Sequence, residues 1–143
     1  MTETEEVVQS YFAAWNTGDP AAVADHFVPG GLRRWMVVNN PAVHTAERFE
    51  GRDSIREGVK VFMDAVPDLT VAAGAYAENG DGAIFEWTCH GHHTGAWGDW
   101  VGQGEELELP GVSIVRLSDG RIVEERMYFD PDMMARNWTP PAG

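Results

Sequence analysis

The hydrophobic pattern of this chain changes period about halfway along, and no other feature constrains the fold as tightly. As far as Val66 the apolar residues recur at helical spacing. Val7, Tyr11 and Trp15 stand four apart with Val8 and Phe12 beside them, which predicts an amphipathic first helix. Thr2 and Glu5 have capping-box spacing before it, and Gly18 should end it. Asp19-Pro20 then supplies an N-cap and a first-turn proline for a second helix carrying Val23 and Phe27, stopped by Pro29-Gly30-Gly31. A third helix, opened by Asp53, carries Ile55, Val59, Phe62 and Val66 and is closed by Pro67, because proline cannot continue a helix.

Beyond Pro67 the period falls to two. Leu69 to Ala77 and Ala83 to His93 read as strands joined by the turn-rich Glu78-Asn79-Gly80-Asp81-Gly82. Glu105 to Leu117 and Arg121 to Asp130 form a second pair across Ser118-Asp119-Gly120, with Pro110-Gly111 read as a bulge or bend. Residues 132–137 add a closing helical turn, Leu32 to Val38 a short strand, and Asn39 to Gly51 a loop across the mouth of the fold. Helices followed by an antiparallel meander make an α+β pattern. Packed on one face of a curved sheet, the helices leave a conical cavity into which the first helix and the concave sheet face both point.

The 143 residues suit one domain spanning 1–143, with no linker or repeat. A net charge of -13 repels a phosphate backbone, so nucleic acid is not expected as a partner. No apolar stretch approaches the ~18 residues of a membrane span, and the start is acidic where a signal peptide is basic, so a cytoplasmic location with no membrane partner is expected. Cys89 is the only cysteine, which excludes an intrachain disulfide or a thiolate metal cluster.

The opening Tyr11-Phe12-Ala13-Ala14-Trp15-Asn16-Thr17-Gly18-Asp19 and the ending Asp119-Gly120-Arg121-Ile122-Val123-Glu124-Glu125 resemble a SnoaL-like protein of the NTF2-like superfamily, as do Gly91-His92-His93-Thr94-Gly95 and Tyr128-Phe129-Asp130. The resemblance runs over nearly the whole chain. It implies an NTF2-like cone, with three N-terminal helices packed on a curved, mostly antiparallel sheet that encloses a pocket, and a homodimer. Relatives of this kind include polyketide cyclases that close a ring by aldol condensation, ketosteroid isomerases, epoxide hydrolases and pocket proteins without a defined role, so the fold alone does not select the chemistry. The aldol cyclases' catalytic aspartate corresponds to Met127 here and their histidine to Ser113. The last carboxylate of an epoxide hydrolase also falls at Met127, with its arginine and first aspartate near Trp87 and Cys89. The isomerase base corresponds to Asn40 before Pro41, while the isomerase's oxyanion-binding tyrosine resembles Tyr11.

The residues give their own candidates. Strand alternation groups Phe85, Trp87, Cys89, Gly91 and His93 on one face, and Val123, Glu125, Met127 and Phe129 on another, so His93 and Glu125 are expected to share the cavity. An imidazole beside a carboxylate can be tuned near the working pH, which makes His93 and Glu125 catalytic candidates, with Asp130 a third. Each has a structural alternative: a strand-end histidine, a solvated or dimer-edge glutamate, and a helix cap. Tyr11 offers a hydroxyl to a ligand oxygen, Asn40 and His44 lie in the presumed mouth, and Trp15, Trp35 and Trp87 offer flat apolar surface; with Ser113 and Met127 these are the substrate-binding candidates. His90, His92 and His93 invite a metal reading, but alternation sends His93 away from the other two, so no metal is expected. Cys89 reads as a small buried apolar residue. Trp97 and Trp100, in a Gly-rich loop, read as a lid or a dimer contact. Taken with what the resemblance implies, these candidates lead to the expectation of a small enzyme without organic cofactor performing acid-base cyclisation or isomerisation on an apolar carbonyl compound, or alternatively a non-catalytic carrier of such a ligand.

Overall fold

Thr2 caps the first helix, its side chain accepting from the Glu5 amide, and α1 (Glu3–Trp15) turns Val8, Tyr11 and Trp15 to the interior. The computed structural model describes residues 1–37 and 47–141. Asp19 caps the short α2 (Pro20–Ala24), accepting from the Ala21 amide. Here the chain departs from the expectation of a longer helix. Phe27 already belongs to a strand, β1 (Phe27–Trp35), and Pro29-Gly30-Gly31 lies inside it. Between Phe27 and Leu32 the register against its neighbour shifts, so the proline and glycines form a strand irregularity instead of a helix stop.

After β2 (Arg48–Glu50) comes α3 (Arg52–Ala65), which buries Ile55, Val59 and Met63. Its cap is Gly51, at a φ of 87°, and not Asp53, which sits in the first turn. The two hairpins follow: β3 (Thr70–Asn79) with β4 (Gly82–His93), and β7 (Glu105–Ser118) with β8 (Arg121–Tyr128), separated by the two-residue strands β5 (Ala96–Trp97) and β6 (Trp100–Val101). The expected closing turn is α4 (Pro131–Ala135), a fourth helix among the described residues.

The main sheet runs β2-β1-β8-β7-β4-β3. All its pairs are antiparallel except β1 with β8, which is parallel. Register shifts between Ala73 and Tyr76 in β3 and between Arg116 and Leu117 in β7 curve it. The result is the NTF2-like cone, with α1 and α3 against the concave face. No described helix is long and apolar enough to cross a membrane.

Pro110-Gly111 does not form a bulge, because the β4–β7 register runs unbroken through it. Gly111 has another role. It is the direct partner of Trp87, and a Cβ there would lie inside contact distance of the indole ring. Trp97 and Trp100 are likewise explained within one chain. Trp97 is buried, with its ring 5.8 Å from Phe62, 5.9 Å from Trp138 and 6.2 Å from Trp35, while Trp100 packs on Trp138. A lid or dimer contact is therefore not needed to account for them.

The Gly111→Ala variant is expected to lose about 2 kcal/mol, as overpacking against a fixed ring does, read as a lower urea midpoint. An unchanged midpoint would show that the ring has room to move.

Candidate active site

Between α1, α3 and the concave sheet lies a cavity of about 610 Å³, its open mouth included. Its walls are almost entirely apolar. Phe12, Trp15 and Phe62 descend from the helices, and Phe85, Trp87 and Phe129 rise from the sheet. Among the described residues, polar groups converge on Glu125.

Alternation along β8 turns Glu125 and Met127 inward, with Phe129 just past its end on the same side, and Glu125 ends up 3 % exposed. Such a carboxylate must be compensated, since an unpaired charge in an apolar interior is costly. Three elements supply donors. From α1 the Tyr11 hydroxyl donates to Oε1 at 2.6 Å, from β7 the Ser113 hydroxyl donates to Oε2 at 2.8 Å, and from β1 the Arg33 Nε donates to Oε1 at 3.3 Å. Arg33 and Glu125 are direct cross-strand partners in the parallel pair, which explains how an arginine 7 % exposed meets a buried acid. The guanidinium also lies 5.0 Å above the Trp15 ring, a cation–π contact. Behind Ser113, the Trp87 indole N–H donates to its Oγ at 2.9 Å.

Burial raises the Tyr11 phenol well above its usual value, and the neighbouring Glu125 charge raises it further against the opposing effect of Arg33. Tyr11 is thus a neutral donor at any physiological pH. Cys89, also on the cavity wall, is pushed up to about 12 by burial, so it stays a thiol and behaves as an apolar filler.

The expected site residues divide clearly. Tyr11, Trp15, Trp35, Trp87, Glu125 and Met127 all border the cavity, and Ser113 is fully buried beside it with its hydroxyl on Glu125. His93 does not share the cavity. It lies on the expected face of β4, but at the end of the strand the C-terminal segment covers it: Trp138 stacks on the imidazole at 3.9 Å, and Glu105 Oε1 stands 3.8 Å from Nδ1. Burial lowers the His93 imidazole below its ordinary value, with Glu105 acting against that shift. Asp130 is exposed, and its side chain accepts from the Asp132 amide as the cap of α4. Asn40 and His44 lie outside the described residues. His92 is exposed on the other face of β4, with Nδ1 2.7 Å from Asp68, and no group of three His, Cys, Asp or Glu suited to a metal occurs among the described residues.

Arg33 was not among the sequence candidates, yet it had a signal. In Arg33-Arg34-Trp35, whichever arginine shares parity with an inward tryptophan is drawn inside, and that is Arg33. What the pattern does not disclose is that β1 lies beside β8.

A family model described as SnoaL-like polyketide cyclase matches residues 5–137, and the chain belongs to that family. No curated protein matches it. Among solved structures it is similar to an NTF2-like protein of unknown function from Burkholderia pseudomallei, with a TM-score of 0.79 and 17% identity over 98% of this chain and 100% of that one. It is also similar to a protein with a ketosteroid isomerase-like fold from Catenulispora acidiphila, solved with trimethylamine, at 0.76 and 20% over 96% and 99%. A phenazine biosynthesis-related protein from Pseudomonas aeruginosa gives 0.76 and 18% over 99% and 88%.

Arg33→Met leaves Glu125 buried without its counter-charge and is expected to cost about 3 kcal/mol. Adding Glu125→Gln to that variant should restore part of the loss in urea unfolding; equal or greater loss in the double variant would show that the pair is not coupled.

Proposed function

We propose that this protein is a small enzyme that performs acid-base chemistry, a cyclisation or an isomerisation, on an apolar carbonyl compound, with Glu125 as the proton-transfer group. The observation that carries this reading is a buried carboxylate standing as the polar focus of a cavity whose walls are otherwise almost entirely apolar. The walls fit a ligand that is apolar along most of its surface and polar at one end. With that end against Glu125, the carboxylate takes the proton from the carbon beside the carbonyl, and the C–H electron pair moves into an enolate. The charge so shifted stays beside Arg33. Once Glu125 is protonated, the Tyr11 hydroxyl no longer faces a carboxylate and can turn its proton to the enolate oxygen. An isomerisation ends when Glu125 returns the proton to another carbon of the same system. A cyclisation ends when the enolate carbon bonds to a second carbonyl carbon of the substrate and the new alkoxide collects the proton. Each step uses groups of the chain alone.

This carboxylate stands two residues before Met127, the position that corresponds to the cyclase aspartate. On the same face of β8 that is a displacement of roughly 7 Å along the strand. The proton-transfer group is therefore proposed to act at a different depth from the one the resemblance implies.

One observation favours the carrier reading instead: both oxygens of Glu125 are already occupied by Tyr11, Ser113 and Arg33. Incubating the protein in D2O with a panel of mono- and polycyclic ketones, and following α-hydrogen exchange by proton NMR, separates the two. The enzyme reading expects some ketone to exchange at least about 100-fold faster than in buffer, with Glu125→Gln abolishing the gain while binding persists. Ketones that bind without faster exchange would leave the carrier.

A further inference from the structure

We infer that Trp87 is a positioning residue for the proposed proton transfer: by donating its indole N–H to Ser113, it strengthens the Ser113 hydroxyl as a donor to Glu125 and so holds that carboxylate as an acceptor. The inference rests on Glu125 being the proton-transfer group.

One group in this chain of bonds can only give a proton. An indole nitrogen has a hydrogen and no lone pair to offer, so the 2.9 Å contact from Trp87 Nε1 to Ser113 Oγ has one possible polarity. A serine hydroxyl has one proton and two acceptor positions. The Trp87 N–H on one of those positions draws electron density from the oxygen and makes the O–H a stronger donor along its own contact, 2.8 Å to Glu125 Oε2. Ser113 is fully buried, so no solvent competes for either bond. On the other oxygen Tyr11 donates in the same sense. A proton on Oε2 would meet the Ser113 hydrogen head-on, and relieving that clash means giving up a Ser113–Glu125 bond that the Trp87 N–H strengthens.

The sheet builds this path across three strands. Trp87 on β4 stands opposite Gly111 on β7, and because Gly111 has no Cβ the ring lies flat across that strand. Its Nε1 thereby reaches the next residue on the same face, Ser113. Ser113 in turn pairs with Met127 on β8 and so lies diagonal to Glu125, which pairs with Val115. Trp87 also borders the cavity. One indole thus forms part of the ligand wall and fixes the direction of the hydrogen bonds behind the reacting group.

The test reads Glu125 without any substrate, so it succeeds or fails independently of whether a ketone is turned over. The carbon-13 NMR titration of the Glu125 side-chain carboxyl, assigned by its disappearance in Glu125→Gln, is compared among the wild type, Trp87→Phe, Ser113→Ala and the double variant. Without the indole N–H, the Ser113 hydroxyl is a weaker donor to the carboxylate. Trp87→Phe is therefore expected to move the titration midpoint upward by about one pH unit, and to move it no further once Ser113 is alanine. An unmoved midpoint in folded Trp87→Phe, or an equal movement with and without Ser113, overturns the inference. Should the phenylalanine variant fail to fold, site-specific replacement of Trp87 by 3-benzothienylalanine, which has the indole's shape with sulfur in place of N–H, carries the same two outcomes.

Discussion

A carboxylate in an apolar interior has to be compensated from more than one direction, and in this chain that requirement ties together elements far apart in sequence. Tyr11, Arg33, Ser113 and Glu125 come from α1, β1, β7 and β8, and their bonds span as many as 114 positions. The parallel pairing of β1 with β8 is what brings Arg33 opposite Glu125. The bulge that absorbs Pro29, Gly30 and Gly31 lets β1 complete that pairing after it has already begun at Phe27. If β1 slipped by one residue, Arg34 would take the inward place and Arg33 would face out, leaving Glu125 without its counter-charge.

The same compensation shapes the chemistry that is proposed. Three donors hold Glu125 in one orientation, which gives the proton-transfer step a fixed geometry. The aromatic walls serve both ends of this arrangement. They bury apolar area that holds α1 and α3 to the sheet, and they keep water from the polar focus, where a low dielectric strengthens each bond to the carboxylate. Trp15 does both directly, since it lines the cavity and carries the Arg33 guanidinium over its ring.

Much of this was legible in the residues. The change of period located the helices and both hairpins, and strand alternation sorted Phe85, Trp87 and Cys89 from Ile84 and Glu86, and Glu125 from Glu124. Family resemblance gave the cone. Three things escaped for physical reasons. Pro29-Gly30-Gly31 signals a break without saying of what, and here it interrupts a strand. Alternation fixes a face but not how far along the face a cavity extends, so His93 shares parity with Trp87 and still lies under Trp138. The Arg33–Glu125 pair depends on a parallel contact between the first strand and the last, which no local pattern encodes. Trp97 and Trp100 escaped differently: they pack with Trp35, Trp138 and Phe62 at one end of the common core, which a reading of one Gly-rich loop does not reveal.

The central claim is that Glu125 is a carboxylate accepting protons held by Tyr11 and Ser113, and neutron diffraction from a deuterium-exchanged crystal near neutral pH tests it most directly. The account predicts deuterons on Tyr11 Oη, Ser113 Oγ and Trp87 Nε1, pointing along the chain of bonds toward Glu125, with neither carboxylate oxygen carrying one. A deuteron on either oxygen of Glu125, or a Ser113 hydroxyl turned away from it, would contradict it.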